Sequence, residues 1–225
     1  GPQGSRIGAN ALAGLIYIKT KDPTEEFEAT SEITTGSFGT KSAGLAFGGP
    51  LADNENIAYR LVLRKDNSDG FRKNLYLKRS DTSRKDETTS RLKIDWEMDE
   101  KTSVKLLISQ VDLDDPADIW TLDGSLNTLS DRPGMDSQKT NSYGLKIFHN
   151  FIGFDLQSLT SSTDTSVVFS YDADWGNTDS WAPFIYDYFS ETLRDRKTFS
   201  QEFRLISNEA NLDEEQKIEW VFGVS

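Results

Sequence analysis

The most regular feature of the chain is a two-residue alternation of apolar and polar positions that begins near Glu25 and recurs to the end. It is clearest where Leu92, Ile94, Trp96 and Met98 alternate with Arg91, Lys93, Asp95 and Glu97. Successive strand side chains point to opposite faces, so this stretch has one apolar face and one charged face. It cannot lie between two dry layers, because unpaired buried charge is strongly unfavourable. It fits a wall between hydrocarbon and a wet lumen, and also a soluble sheet with one face in water. The same period predicts eight further strands, at 27–34, 40–49, 57–64, 102–111, 140–150, 154–171, 198–207 and from Lys217 onward. In the first, Phe27, Ala29, Ser31 and Ile33 oppose Glu28, Thr30, Glu32 and Thr34. Alternation falters over 158–163, which predicts a β-bulge.

The connections are sorted by length. Those at 65–87, 112–139 and 172–197 are long, those at 99–101 and 152–153 are short, and 208–216 is intermediate. Long loops are unusual in compact domains. Regular long–short alternation is expected of a membrane barrel whose long loops share one side, and a soluble sandwich has no reason for it. Aromatic residues near predicted strand ends (Tyr59, Trp96, Phe151, Phe154, Tyr171 and Trp220) suit interfacial girdles.

Composition narrows the chemistry. The 225 residues carry a net charge of −12, which argues against a nucleic-acid surface. No cysteine is present, hence no disulfide framework or thiolate site, and one histidine cannot build a histidine-rich zinc site. No apolar run reaches the roughly 18–20 residues of a membrane helix, which leaves an alternating barrel strand untouched. No G-x-S-x-G, P-loop or H-E-x-x-H occurs, so no enzyme is predicted; a glycan-cleaving β-protein is the enzyme alternative.

Two long loops combine carboxylates with aromatic rings. One holds Trp120; the other holds Asp174, Trp175, Asn177, Trp181, Tyr186 and Tyr188. Such side chains can grip a ligand by stacking and hydrogen bonding, although solvated loops kept soluble by charge have the same composition. The loop 65–87 is instead basic, with Arg72 and Lys73 as candidates to meet an anionic chelate or lipopolysaccharide. Asp172–Asp179 departs from a calcium loop in its glycine position and its missing twelfth-position Glu, so no metal is assigned. Glu202 and Arg204 fall on the charged face of their strand, and His149 reads as structural.

The stretch before the first strand adds a specific signature. Gly1, Pro2, Gln3, Gly4, Gly8, Ala11, Gly14, Ile16, Ile18, Thr20 and Lys21 follow a G-P-Q-G-x-x-x-G-x-x-A-x-G-G-x-I-x-I-x-T-K pattern, with Ala13 departing from it. A protease scar would supply Gly-Pro but not the matches from Ala11 to Lys21. The pattern resembles the end of the plug domain of TonB-dependent outer-membrane receptors of the siderophore-receptor type, and Gln201–Leu205 resembles the same family more diffusely. The resemblance implies an all-β fold, part of a transmembrane antiparallel barrel of about 22 strands. This chain would supply the plug's last strand (1–21) and the N-terminal part of the barrel, about nine strands (22–225). It would be an internal fragment of a protein in the outer membrane of a Gram-negative bacterium. The implied function is TonB-dependent uptake of a scarce ligand, foremost a ferric siderophore, captured by outer loops and plug, with no cofactor. Implied partners are the TonB complex, outer-membrane lipid and lipopolysaccharide, with Glu202 and Arg204 facing the plug. The alternatives are a carbohydrate, haem or cobalamin transporter, a passive porin, or a soluble ligand-binding β-domain.

Overall fold

The structure is a computed structural model that describes residues 16–51, 54–208 and 218–225, with 54 and 55 by their backbone only. The glycine-rich positions Gly1 to Gly14 lie outside the described residues. The elements are β1 (Glu28–Thr35), β2 (Lys41–Leu51), β3 (Asn54–Ser68), β4 (Lys73–Asn74), β5 (Lys85–Glu97), β6 (Thr102–Pro116), β7 (Asn127–Thr128), β8 (Met135–Phe151), β9 (Phe154–Asp172), β10 (Phe189–Ser207) and β11 (Val221–Val224). Nine of them form one sheet in the order β1-β2-β3-β5-β6-β8-β9-β10-β11, and every neighbour in it is antiparallel.

Cross-strand register gathers the apolar positions onto one face. Ile57, Trp96, Val104 and Ile147 form one row, and Tyr59, Ile94, Leu106 and Leu145 the next. Leu61, Leu92, Ile108 and Tyr143 form a third. Facing rows of branched and aromatic side chains stabilise a sheet pair by pair. The sheet nonetheless has no second layer: among the described residues the one buried apolar side chain is Ala117, while Leu45, Leu63 and Tyr143 are 43%, 43% and 50% exposed. A soluble domain of this length would bury its apolar surface in a core. A continuous apolar band without a covering layer is what a strand wall in hydrocarbon requires.

The other face is polar and carries the chain that precedes β1. Lys93 Nζ donates to Asp22 at 2.7 Å and to the Thr20 carbonyl at 2.9 Å, which pins the linker across this face. Arg60 and Glu28 pair beside it at 3.4 Å. The polar face is therefore the one that chain entering from the N-terminus lies against.

β8 and β10 exceed their predicted extents, and β9 matches its own to within one residue. β8, β9 and β10 have 17, 19 and 19 residues, against the roughly 9–11 that a tilted strand needs to cross a bilayer. The apolar band stops at the row Ser90, Gln110, Asn141 and Asp164. Beyond it polar and apolar side chains mix on both faces, with Val168 and Leu193 on one and Val167 and Phe169 on the other, so pairing continues where alternation no longer marks it. The long connections shrink accordingly to 69–84, 117–134 and 173–188.

The predicted bulge over 158–163 is absent. β9 pairs with β8 and β10 without a register shift. Alternation fails there because Ser158 and Thr160 occupy outward positions, where Gln201 satisfies both: Thr160 Oγ1 donates to Gln201 Oε1 at 2.6 Å, and Gln201 Nε2 to Ser158 Oγ at 3.1 Å. The register shift falls at Pro50/Leu51, at the β2–β3 turn, where proline has no N–H to give.

The turns at 98–101 and 152–153 share one end of the sheet, and the β1–β2 turn at 36–40 lies at the other. Gly153 takes φ 90° between β8 and β9, a left-handed conformation that favours glycine. Phe151 and Phe154 stack there at 4.9 Å, and His149 Nδ1 bonds Thr102 Oγ1 at 2.8 Å, a structural role. Tyr171 departs from the predicted girdle and lies at the opposite, long-loop end.

Candidate functional site

The three long loops meet at that opposite end. β4 and β7 pair in parallel, Lys73 with Asn127 and Asn74 with Thr128, and so join the first loop to the second. The joint is polar throughout. Asn74, 1% exposed, donates from Nδ2 to Asp118 Oδ2 at 3.0 Å and to the Ser130 carbonyl at 2.8 Å, and its Oδ1 accepts from Leu77 N at 2.8 Å. Thr128 Oγ1 donates to the same Asp118 oxygen at 2.7 Å. Buried polar groups persist only when hydrogen-bonded, so this knot fixes one arrangement of the two loops. Its members are 44 and 56 residues apart in sequence, a separation that no local signal reveals.

The third loop docks through Asn177. Its Nδ2 donates to the Leu129 carbonyl at 2.8 Å, and its Oδ1 accepts from Asp179 N at 2.9 Å. The Asp131 amide bonds the Gly176 carbonyl at 3.0 Å. Gly134 packs so closely on β9 that a Cβ there would lie 1.8 Å from the Ser170 carbonyl oxygen, which requires glycine.

Asp174 staples the third loop: Oδ1 accepts from Gly176 N at 3.1 Å and Trp181 Nε1 at 3.3 Å, and Oδ2 from Tyr188 N at 2.8 Å. Trp181 meets Tyr186 edge-on at 5.6 Å, and Tyr186 lies 6.0 Å from Tyr188. This ladder stands at the surface, with Tyr188 59% and Ile185 88% exposed. Trp120 packs on Tyr171 at 4.7 Å, and Trp175 takes a positive φ of 62°. Trp120, Trp175, Asp118, Ser130 and Asp172 line a crevice too narrow to admit a water molecule.

Charge is unevenly distributed over the platform. Burial raises the Asp131 and Asp172 carboxyls above the usual carboxylate range, and the neighbouring Asp174 charge adds to both. Asp172 Oδ2 makes no hydrogen bond among the described residues. On the first loop, Arg72 Nη1 donates to the Ser125 carbonyl at 3.1 Å and its guanidinium lies 5.4 Å from the Phe71 ring, whereas Lys73 is exposed.

The structure thus gathers Arg72, Lys73, Trp120, Asp174, Trp175, Asn177, Trp181, Tyr186 and Tyr188 at one end of the sheet. Asn177 and Asp174 use their hydrogen-bonding capacity within the loops. The rings of Trp181, Tyr186 and Tyr188 face outward. Glu202 and Arg204 lie apart from them on the polar face of β10 and pair with each other, Arg204 Nη2 to Glu202 Oε2 at 2.9 Å. Glu202 lines a cavity of about 400 Å³ on that face with Asp22, Lys93, Lys105 and Lys146.

No family model matches the chain. Solved structures similar to it include two that contain a pyoverdine-type receptor chain. The crystal structure of the ferripyoverdine receptor of the outer membrane of Pseudomonas aeruginosa, bound to ferripyoverdine, aligns with a TM-score of 0.59 at 16% identity. The FpvAI–pyocin S2 complex aligns with 0.58 at 16%. Each match covers 83% of this chain but only 26% and 25% of the other, so the chain spans about a quarter of the length of these receptors. At that identity the likeness establishes the fold. The nine-stranded sheet has the fold of a segment of the barrel in those structures, both of which are of receptors.

Proposed function

We propose that this chain is part of a TonB-dependent transporter that captures a scarce ligand, foremost a ferric siderophore, and moves it across the outer membrane of a Gram-negative bacterium. One observation carries the reading. Three long loops join into a single platform at one end of an unlayered sheet and present an aromatic ladder there, while the connections at the other end are mostly short turns. A passive pore needs no such platform, and a soluble sheet would not leave its apolar face bare. The similar receptor of known structure binds ferripyoverdine, which supports an iron chelate as the ligand class. In this reading residues 1–21 end the plug, 22–225 begin the barrel, and Glu202 with Arg204 faces the plug.

The test is radioactive-iron uptake by cells carrying the full-length protein, supplied with single iron chelates, with and without an active TonB complex. Saturable uptake that disappears when the complex is inactivated is expected. Uptake proportional to concentration and indifferent to the complex would instead mark a passive pore.

A further inference from the structure

The polar face of the sheet is not uniform. On its β1–β5 side the cations other than Arg91 have acidic partners, such as Arg60 with Glu28, Arg64 with Asp66 and Lys93 with Asp22. Across β6, β8, β9 and β10 the pattern changes. Register places Arg91, Ser109, Ser142, Thr163 and Thr198 in one row on this face. The next row toward the loops reads Thr89, Val111, Thr140, Thr165 and Arg196. Arg194 follows one row further, and Lys146 lies two rows below the first, directly opposite Lys105. Lys105 takes Asp95 at 2.7 Å. Among the described residues Arg91, Lys146, Arg194 and Arg196 have no ion-pair partner.

Between Asp115 and Asp136 at the loop end and Glu202, which Arg204 pairs, this field carries no carboxylate, although 37 of the 225 residues are Asp or Glu. From Gln157 to Tyr171 no position of β9 on this face is acidic, and from Gln138 to Phe148 none of β8 is. Asp164 and Asp195, level with these rows, stand on the opposite face. Asp164 meets Lys197 there at 3.2 Å, and Asp195 accepts from Ser166 Oγ at 2.7 Å. Two like charges placed directly opposite, as in Lys105 and Lys146, destabilise a sheet unless something anionic lies between them. Hydroxyl rows flanked by guanidinium forks match the geometry of carboxylate and phosphate oxygens.

We propose that the inward face of β6, β8, β9 and β10 is an anion-binding wall, along which a solute bearing carboxylate, phosphate or similar oxyanion groups passes from the loop platform toward the lysine-lined cavity beside Asp22. This rests on the transport reading and names the charge class of the ligand. Rings of Arg and Lys select anions in pores by the same electrostatics.

The test needs no knowledge of the ligand. In the full-length protein in cells, Thr163→Cys places a thiol on this wall, and Ser166→Cys places one three residues away on the opposite, acidic face. Each is labelled with an anionic and with a cationic methanethiosulfonate of equal size, and the rate ratio is divided by that of a free thiol. In the Thr163→Cys variant the anionic reagent is expected to be favoured about tenfold, from two or three cations within about 10 Å. In the Ser166→Cys variant it is expected to be disfavoured. Adding Arg194→Gln and Arg196→Gln to Thr163→Cys should reduce the anionic preference several-fold without lowering the amount of protein in the membrane. A ratio near one for the wall thiol would mean that carboxylates elsewhere in the chain already pair the cations, and overturns the proposal. Absence of labelling there by either reagent would mean a sealed wall and overturns it equally. Labelling is independent of uptake, so loss of TonB-dependent transport with the charge preference intact would instead refute the transport reading.

Discussion

Asn74 is the residue on which the loop platform turns. Its amide serves three partners while 1% exposed, and removing one partner leaves the others unpaired in a dry place. Asn74→Ala is expected to cost about 1–3 kcal/mol of loop docking. Hydrogen exchange should then quicken across 69–84 and 117–134 but not in the band below; unchanged exchange in the loops would show that the knot is not what holds them. Asp172 presents the opposite case. Its carboxyl is raised by burial, so its ionisation opposes docking. That cost is absent below the unfolded pKa of about 4 and complete above the raised folded value. The platform should therefore be tighter in mild acid than at neutral pH. Asp172→Asn should tighten it at neutral pH and flatten the pH dependence of proteolysis within 173–188. A variant as pH-dependent as the parent would place the titration elsewhere.

For the strands, the decisive property is which face each side chain takes. Leu145 and Gly144 are neighbours in β8, yet Leu145 lies in the apolar rows and Gly144 on the polar face. Leu145→Arg should destabilise the refolded full-length protein by about 2–4 kcal/mol in bilayer unfolding measurements. Ser142→Arg, inward on the same strand, should change it by less than about 1 kcal/mol, since no charge enters hydrocarbon there. Equal costs would reverse the assignment of faces. Alternation located each strand because one face of the sheet is apolar along the band, and missed the outer parts of β8 and β10 because the band does not continue there. The expected bulge failed for a related reason: Ser158 and Thr160 look like an interruption in a linear reading, but across the sheet they are one hydrogen-bonded group with Gln201.

At the level of the whole molecule the proposed function predicts a position in the membrane. Trp96 belongs to the apolar rows, whereas Trp120, Trp175 and Trp181 belong to the platform. Brominated lipids should quench Trp96 and spare the other three. In the full-length protein, Trp96→Phe should therefore remove quenching that the triple replacement Trp120→Phe, Trp175→Phe, Trp181→Phe leaves in place; the reverse result would put the platform inside the bilayer. The sheet as described ends in edges at β1 and β11, and free edges invite pairing. The 225-residue chain refolded alone is thus expected to associate through them, as gel filtration in detergent would show.

The order of strands, their outward and inward faces, and the division into long-loop and short-turn ends were all written in the sequence. Each follows from a local rule: side chains alternate every two residues, and one face of the sheet meets hydrocarbon. The platform was not legible in that way. Trp120, Trp181, Tyr186 and Tyr188 stood out as types, but Asn74, Asp118, Thr128 and Ser130 read as ordinary polar loop residues until folding brought them together. The carboxylate-free wall likewise exists only once strands are set in register. Local period decides where a side chain points; only pairing between distant strands decides what stands beside it.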